Sequence, residues 1–151
     1  MPRFSFILLL LLLLTGFQEH PRSLEQRLFN EINDVRISRH LPPLRWSGRI
    51  AELARDHSSR MMHHHFLSHE DPEHGGPGDR LSMGGVAWRA CAENIYEGYG
   101  HSDPAHAAIQ SWLNSAGHRQ NMLSRAYTTS GIGVAINAQG EMIATQLFVA
   151  Y

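Results

Sequence analysis

Apolar residues recur three or four positions apart in the first part of the mature chain, the spacing that lines one face of an α-helix. The first stripe follows Ser23, where Gln26 three residues later completes a capping-box pattern, and it ends near His40, ahead of a pair of prolines. The second follows Ser47, a typical N-cap, and continues toward the histidines at 63–65. Two amphipathic helices are therefore predicted.

A third helix is predicted from Asp103 and Pro104, a capping residue followed by proline at the first helical position. Its apolar face includes the bulky Trp112. We expect this helix to end near Ser115, with a break or kink at Gly117, and residues 118–123 to add one short turn beyond the break.

The predicted strands lie in the second half of the chain. Apolar residues alternate over 132–136, the period of a strand with one buried face. Turn residues at 137–140 separate this run from a second one at 142–149, which predicts an antiparallel hairpin. A further extended segment is predicted at 88–96. Helices outnumber strands, so we expect an α+β fold with helices packed on a small, mostly antiparallel sheet.

The stretch between the second helix and that extended segment is rich in Gly, Pro, Asp and Glu. We predict that residues 67–85 form a loop with one helical turn at 79–83. A long irregular stretch inside a compact domain is usually functional. This loop is therefore the first place to look for a site.

The N-terminus predicts export. Arg3 precedes an apolar run at 4–14 that is too short for a comfortable transmembrane helix and fits the hydrophobic region of a signal peptide. Cleavage is expected after Gly16, and an uncleaved signal anchor is the alternative because Leu14 stands where a small residue is preferred. The protein is then extracellular or periplasmic. The predicted layout is a signal peptide at 1–16, a linker at 17–22 and one domain at 23–151.

Charge and cysteine content narrow the class further. The formal net charge of -1 argues against a nucleic-acid partner, because a polyanion needs a basic face. Cys91 is the only cysteine in the sequence, so no internal disulfide forms even though export allows one. Core packing must hold the domain together, and we expect a monomer.

Histidine is abundant, with eleven residues in 151. His69 and His74 resemble a zinc-protease pair, but Pro72 lies between them and their spacing cannot place both on one helix face. The histidines at 63–65 project in different directions around a helix end and are expected to be exposed. His57 falls within the apolar stripe of the second helix. A hydrogen-bonded core histidine is the favoured interpretation, and a ligand role is the alternative.

An ordered series of short motifs covers nearly the whole mature chain. In order they read N-E-I-N-D-V-R, L-P-P-L-R-W, A-R-D-H-S, F-L-S-H-E-D-P, D-R-L, A-E-N-I-Y, S-W-L-N-S-A-G-H-R-Q-N-M-L and G-I-G-V-A. No single motif is diagnostic, but together, over about 24–148, they closely resemble the compact bacterial branch of the CAP superfamily (cysteine-rich secretory, antigen-five and pathogenesis-related-one proteins). The resemblance implies a three-layer α-β-α sandwich with a cleft between its loops.

The resemblance also implies the residues of that cleft. Members of the family often carry two histidines and two glutamates there, and the histidine pair can hold zinc. The matching positions in this chain are His69, Glu93 and His118. The second glutamate usually follows the helix tryptophan by three positions, where this chain has Ser115. The expected metal site is therefore incomplete and weak.

Three interpretations of Glu93 are open. It is a third ligand, which with two neutral imidazoles leaves a position for water on zinc. It accepts a hydrogen bond from an imidazole N–H and fixes the tautomer of a ligand. Or no metal is bound, and a polar cluster holds the loops while Glu93 favours protonated histidine.

The other polar residues near the predicted cleft are given the following expected roles. Further candidates for the cleft lining are Ser115, Asn94, Arg119 and His57. Asn94 and Asn121 are expected to satisfy loop backbone groups. Arg80 and Arg119 could line the cleft or form ordinary ion pairs, and the second interpretation is favoured for Arg80.

Two functions from different classes follow. The leading hypothesis is an exported binding module without turnover, whose partners by resemblance include a lipid, a sterol or a cell-envelope component. All the apolar faces above are needed for the core, so an exposed apolar groove in the structure is the observation that would support a lipid ligand. The alternative is a zinc-dependent hydrolase in which His69, His118 and metal-bound water act with Glu93 as general base.

Overall fold

The computed structural model describes residues 20–151, so the predicted signal peptide at 1–16 lies outside the described residues. The elements in chain order are α1 (Pro21–Ser38), β1 (Arg45–Trp46), α2 (Gly48–His64), α3 (Pro77–Met83), β2 (Ala90–Tyr99), α4 (Pro104–Asn114), α5 (Ala116–Leu123), β3 (Thr129–Ile136) and β4 (Glu141–Ala150).

The described strands form one four-stranded sheet in the order β1-β3-β4-β2. β1 pairs with β3 in parallel, and the other two pairs are antiparallel. The predicted hairpin is confirmed: Asn137 Oδ1 accepts hydrogen bonds from Gln139 N at 3.1 Å and Glu141 N at 3.0 Å. Gly140 closes the turn at φ +84°, a conformation that favours glycine.

Helices cover both faces of the sheet. α1, α4 and α5 pack on one face around Leu28, Trp112 and Phe148, all fully buried. α2 and α3 pack on the other face in a smaller cluster, which contains Ile50, Ala54, Leu81, Leu147 and Val149. The α-β-α sandwich is therefore confirmed.

α2 lies unusually close to β3. A Cβ atom on Gly131 or Gly133 would collide with the backbone of α2 at Ala51 and Arg55, so only glycine fits at these two positions. Ser58 Oγ then donates to Gly133 O at 3.0 Å. The two glycines of the G-I-G-V-A motif are explained by this close approach.

The first helix begins earlier than the sequence predicts. His20 is its N-cap, with Nδ1 accepting from Arg22 N, and Pro21 occupies the first helical position. The predicted capping box at Ser23 and Gln26 is therefore wrong. The helix also takes over the last two residues of the predicted linker, whose positions 17–19 lie outside the described residues.

The third predicted helix ends at Ser115, as expected, but the break in the chain is at Ser115 itself and not at Gly117. Ser115 is extended, with φ -89° and ψ 125°, so it ends α4 and begins α5. Its N–H donates to Ser111 O at 3.2 Å and its carbonyl accepts from Arg119 N at 2.8 Å. Gly117 lies inside α5, which is a full two turns and not the single short turn expected.

Candidate functional site

Glu93 is at the centre of the candidate site, on strand β2. Its side chain is only 1% exposed and faces α2 and α3. One carboxylate oxygen, Oε1, accepts a hydrogen bond from His69 Nδ1 at 2.9 Å. The other, Oε2, forms an ion pair with Arg80 Nη2. Both oxygens of Glu93 are therefore engaged.

Arg80 fixes Glu93 and the loop that carries His69 together. Its side chain is 4% exposed, and Nη1 donates to His69 O at 3.1 Å. The expectation of an ordinary ion pair is wrong, because the partner is the site carboxylate itself and the pair is buried. Cleft lining was the other interpretation of Arg80 from the sequence, but its partner could not be identified there, since the contact depends on how α3 crosses β2.

His57 lies behind Glu93 and supports the same loop. It is fully buried, and Nε2 donates to Ser68 O at 2.9 Å, which places the proton of the neutral ring on Nε2. Nε2 is 3.9 Å from Glu93 Oε1, and burial lowers the pKa of His57. These contacts agree with the hydrogen-bonded core interpretation of this histidine.

Asp71 attaches the loop at 67–85 to helix α2. Its buried carboxylate accepts from Arg60 Nε at 2.7 Å and from the backbone of Glu73 and His74 at 2.9 and 3.0 Å. The hydrogen bonds from Arg60 hold the pKa of Asp71 well below its usual range. The backbone of Asp71 pairs with Gly75 in both directions, so the irregular segment is tightly closed.

Two asparagines join β2 to α5. Asn94 Nδ2 donates to His118 O at 3.0 Å, and Asn121 Nδ2 donates to Asn94 Oδ1 at 3.0 Å and to Glu93 O at 3.3 Å. Trp112 is fully buried, and its Nε1 donates to Ile95 O at 2.9 Å. The expected backbone role of the asparagines is confirmed, and it sets the position of His118.

Arg36 holds the far end of α5. It is 1% exposed, and Nη1 donates to Met122 O at 2.6 Å and to Ser124 O at 3.0 Å. A cation at the carbonyl end of a helix is favourable. The helix that carries His118 is thus fixed at both ends.

The two histidines meet across the cleft. The ring centroids of His69 and His118 are 6.3 Å apart. The hydrogen bond from His69 to Glu93 raises the pKa of His69, whereas burial, followed by the nearby His69, lowers the pKa of His118. The cleft therefore pairs one imidazole that favours its charged form with one that favours its neutral form.

Ser115 and Arg119 lie on the α4–α5 side. Ser115 is half-buried and its side chain makes no capping bond to α5. Arg119 is exposed and Nη1 donates to Leu113 O at 2.7 Å, so its guanidinium is held at the end of α4.

The donor set can be compared with what zinc requires. Among residues 20–151, no group of three or more His, Cys, Asp or Glu side chains could hold a metal ion. Glu93 does not fit the role of third ligand because Arg80 and His69 occupy its oxygens. It does fit the role of acceptor from His69 Nδ1, which leaves Nε2 of that ring to face a ligand. The residues present fit a two-imidazole site and not a closed zinc site.

A separate pocket of about 470 Å³ opens at the end of the sheet, beside the hairpin turn and the starts of α1 and α4. Its apolar walls are Leu24, Tyr96, Ile136 and Met142. Its polar rim includes Arg27, His101, Ser102 and Gln139. The sequence does not reveal this pocket because its wall residues also belong to the core, and Leu24, Tyr96 and Met142 are at most 8% exposed.

Residues 29–150 match the model of the CAP family, the cysteine-rich secretory protein family. The chain belongs to this family. The match covers the sheet, both helical layers and the cleft, so the identification made from the ordered motifs is confirmed.

Two relatives of this CAP chain come from Bacillus subtilis (strain 168). The uncharacterized membrane protein YlbC is 36% identical over 110 residues, which cover 73% of this chain and 31% of YlbC. The uncharacterized protein YkwD is 28% identical over 125 residues, which cover 83% of this chain and 46% of YkwD. The chain thus spans less than half the length of either relative.

Solved structures agree with the fold. An extracellular protein containing an SCP domain from Bacillus anthracis str. Ames superposes with a TM-score of 0.74 at 37% identity, over 87% of this chain and 41% of that one. An outer surface protein from Borrelia burgdorferi gives 0.79 at 16% identity, over 87% and 96%, and shows the fold alone. Within residues 20–151, no helix of the CAP domain is long and apolar enough to cross a membrane.

Proposed function

We propose that this CAP domain is an exported module that binds its ligand without turning it over. The observation that carries the proposal is the state of Glu93: the carboxylate is buried, and both oxygens are engaged by His69 and Arg80. A general base must reach the proton that it removes, and a carboxylate whose side chain is only 1% exposed is not open to a substrate in the cleft. With Ser115 at the place of the second glutamate, no other carboxylate is expected beside the two imidazoles.

The His69–His118 pair is the part of the cleft that would hold a divalent cation such as zinc. When bound, such an ion polarises oxygen ligands and lowers the pKa of water. In this chain Glu93 would orient the His69 ring through Nδ1, and the two imidazoles would supply the ligands. Two protein ligands are fewer than structural or catalytic zinc sites use, so we expect weak binding.

The apolar pocket is the part that would receive a lipid or a sterol. Its volume of about 470 Å³ lies within the range of small-molecule sites. Apolar walls with a polar rim suit an amphiphile whose tail is buried and whose polar group stays near solvent.

The metal proposal is tested by titrating the purified protein with zinc in a calorimeter. We expect weak saturable binding that is lost in His118→Ala and unchanged in His101→Ala, a variant with an exposed histidine outside the cleft. Equal binding by all three proteins would contradict the assignment to the cleft.

The lipid proposal is tested with fluorescent fatty acid and sterol probes. Ile136→Trp narrows the pocket from a partly exposed wall position and should weaken probe binding at least about fivefold. Tyr151→Ala removes an exposed aromatic ring that does not line the pocket and serves as the control. If the wild type binds no probe, or if Ile136→Trp binds the probe equally well, the proposal of a lipid ligand is contradicted.

A hydrolase is the second candidate because the pKa values of His69 and His118 move in opposite directions. Titratable neighbours pushed apart in this way can serve as acid and base. In that case His118→Ala should abolish the hydrolysis of ester or amide substrates by the purified protein. Activity retained in that variant excludes this candidate.

A further inference from the structure

A second groove lies away from the histidine cleft and adjoins the apolar pocket, with which it shares the wall residue Ile136. It is bounded by the start of α1, by one face of α2 and by the end of β3, and its volume is about 500 Å³. The floor is formed by Met62 and by the strand residues from Val134 to Ile136. Nothing in the proposed function uses this groove.

The rim of the groove is basic. Four of its lining residues are His20, Arg22, Arg55 and His63, and no Asp or Glu belongs to the lining within the described part of the chain. The first turn of α1 also carries no acidic side chain. The chain as a whole has a formal net charge of -1, so this concentration of basic groups is local.

The carboxylate of Glu25, beneath the groove, is already committed, and Glu52 also interacts electrostatically with Arg55. Glu25 is 2% exposed and accepts from Arg55 Nε at 2.8 Å, from Arg55 Nη2 at 2.7 Å and from Val134 N at 3.1 Å. It balances the charge of Arg55 and fixes the plane of the guanidinium. The Nη1 end of that guanidinium makes none of these bonds.

Several donors are left for a ligand. His20 Nδ1 accepts from Arg22 N at 3.3 Å, so the neutral His20 ring carries its proton on Nε2, where it can be donated. The side chain of Arg22 is exposed and adds a full charge at the rim. Several cationic and N–H donors that line one groove suit an oxyanion with several equivalent oxygens, and arginine is suited to phosphate.

We propose that this groove binds a phosphate group. Its source is either a soluble phosphate ester or the headgroup of an anionic phospholipid, and the chemistry of recognition is the same. The proposal does not use the histidine cleft, and its basic residues, His20, Arg22, Arg55 and His63, do not line the apolar pocket.

The test follows backbone amide signals by NMR while the purified protein is titrated with inorganic phosphate and then with glycerol phosphate. We expect saturable shifts at His20, Arg22 and His63 that shrink as salt is added. Arg22→Gln should weaken binding about threefold to tenfold. Arg39→Gln removes the same charge at the other end of α1 and should leave the affinity within about twofold.

Sedimentation with vesicles separates the two sources. Binding to phosphatidylglycerol vesicles that exceeds binding to phosphatidylcholine vesicles, and that falls in Arg22→Gln, identifies a lipid headgroup. Phosphate shifts without vesicle binding identify a soluble ester. The proposal is overturned if no saturable shifts occur at the groove, or if Arg39→Gln weakens binding as much as Arg22→Gln does.

Discussion

Below the cleft Glu93 and Arg80 are almost completely buried, with side chains 1% and 4% exposed, whereas the His69 side chain beside them is 47% exposed. We call the buried pair Glu93–Arg80 the lower layer of the cleft and the exposed ring of His69 its upper layer. Different electrostatics apply to the two. A charge in the buried layer is costly unless it is paired, while a charge in the exposed layer is screened by water. The lower layer should govern stability, and the upper layer should govern binding.

The largest loss of stability is expected for Arg80→Met, which tests the buried lower layer. The change leaves the buried carboxylate of Glu93 without its cation and should lower the free energy of unfolding by about 3–5 kcal/mol. Urea denaturation measures it. Arg49→Met, at an ion pair whose arginine is 57% exposed, is the matched control and should cost under about 1 kcal/mol. Similar losses in the two variants would remove the distinction between the layers.

Asp71→Asn tests the contact that attaches the loop to α2. Loss of the charge facing Arg60 should cost about 2–4 kcal/mol at pH 7. Because the folded pKa is depressed, the contribution of Asp71 is present above the unfolded pKa of about 3.9 and is lost as pH falls below it. The wild type should therefore lose stability in acid more steeply than the variant. Asp34→Asn, at an exposed position of α1, should keep the wild-type slope; a flattened slope there would refute the assignment.

Ser115→Glu adds a carboxylate to the upper layer. If the cleft is a metal site that lacks one acidic ligand, zinc affinity should rise about tenfold or more, with little change in stability. Calorimetric titration measures the affinity. Ser111→Glu places the same charge one turn earlier on the exposed face of α4 and should have a much smaller effect. An equal gain in zinc affinity in the two variants would mean that only the overall charge of the protein affects zinc binding.

The smallest effect is expected from His69→Gln. The folded pKa of His69 is raised, so its contribution is fully present below the unfolded pKa of about 6.5 and is lost as pH rises through the folded value. Because the ring is half-exposed, the difference should stay under about 1 kcal/mol. Stability curves between pH 5 and about 8 measure it, with His101→Gln as the control. If the difference in stability between wild type and His69→Gln grows with rising pH, the Glu93–His69 contact is contradicted.

The regular elements could be largely predicted from the sequence because their signals are local. Periodicity located the helical faces, Ser47 and Asp103 marked two helix starts, and the hairpin followed from alternation around 137–140. The start of α1 was misplaced because His20 is an uncommon cap and Ser23 offers a more familiar one. The break at Ser115 was assigned to Gly117 because glycine carries the stronger local signal.

The polar support of the cleft could be predicted only in part. His69, Glu93 and His118 were assigned from the ordered motifs, whereas Asp71 was given no role and Arg80 was assigned an ordinary ion pair, although both lie in the same motifs. Their partners lie on other elements, and Arg60, Asp71 and Glu93 meet only when α2, the loop and β2 are packed together. The apolar pocket escaped notice for a related reason: whether Ile136 or Tyr96 faces core or groove depends on where α1 and α4 begin.

The most direct test of the central claim compares wild type and Glu93→Gln for zinc affinity and for zinc-dependent hydrolysis in the same preparations. If Glu93 orients His69 and activates no water, the variant should bind zinc roughly 10- to 100-fold more weakly, and neither protein should turn over substrate. A wild type with chelator-sensitive turnover that Glu93→Gln abolishes, with zinc affinity retained, would contradict it.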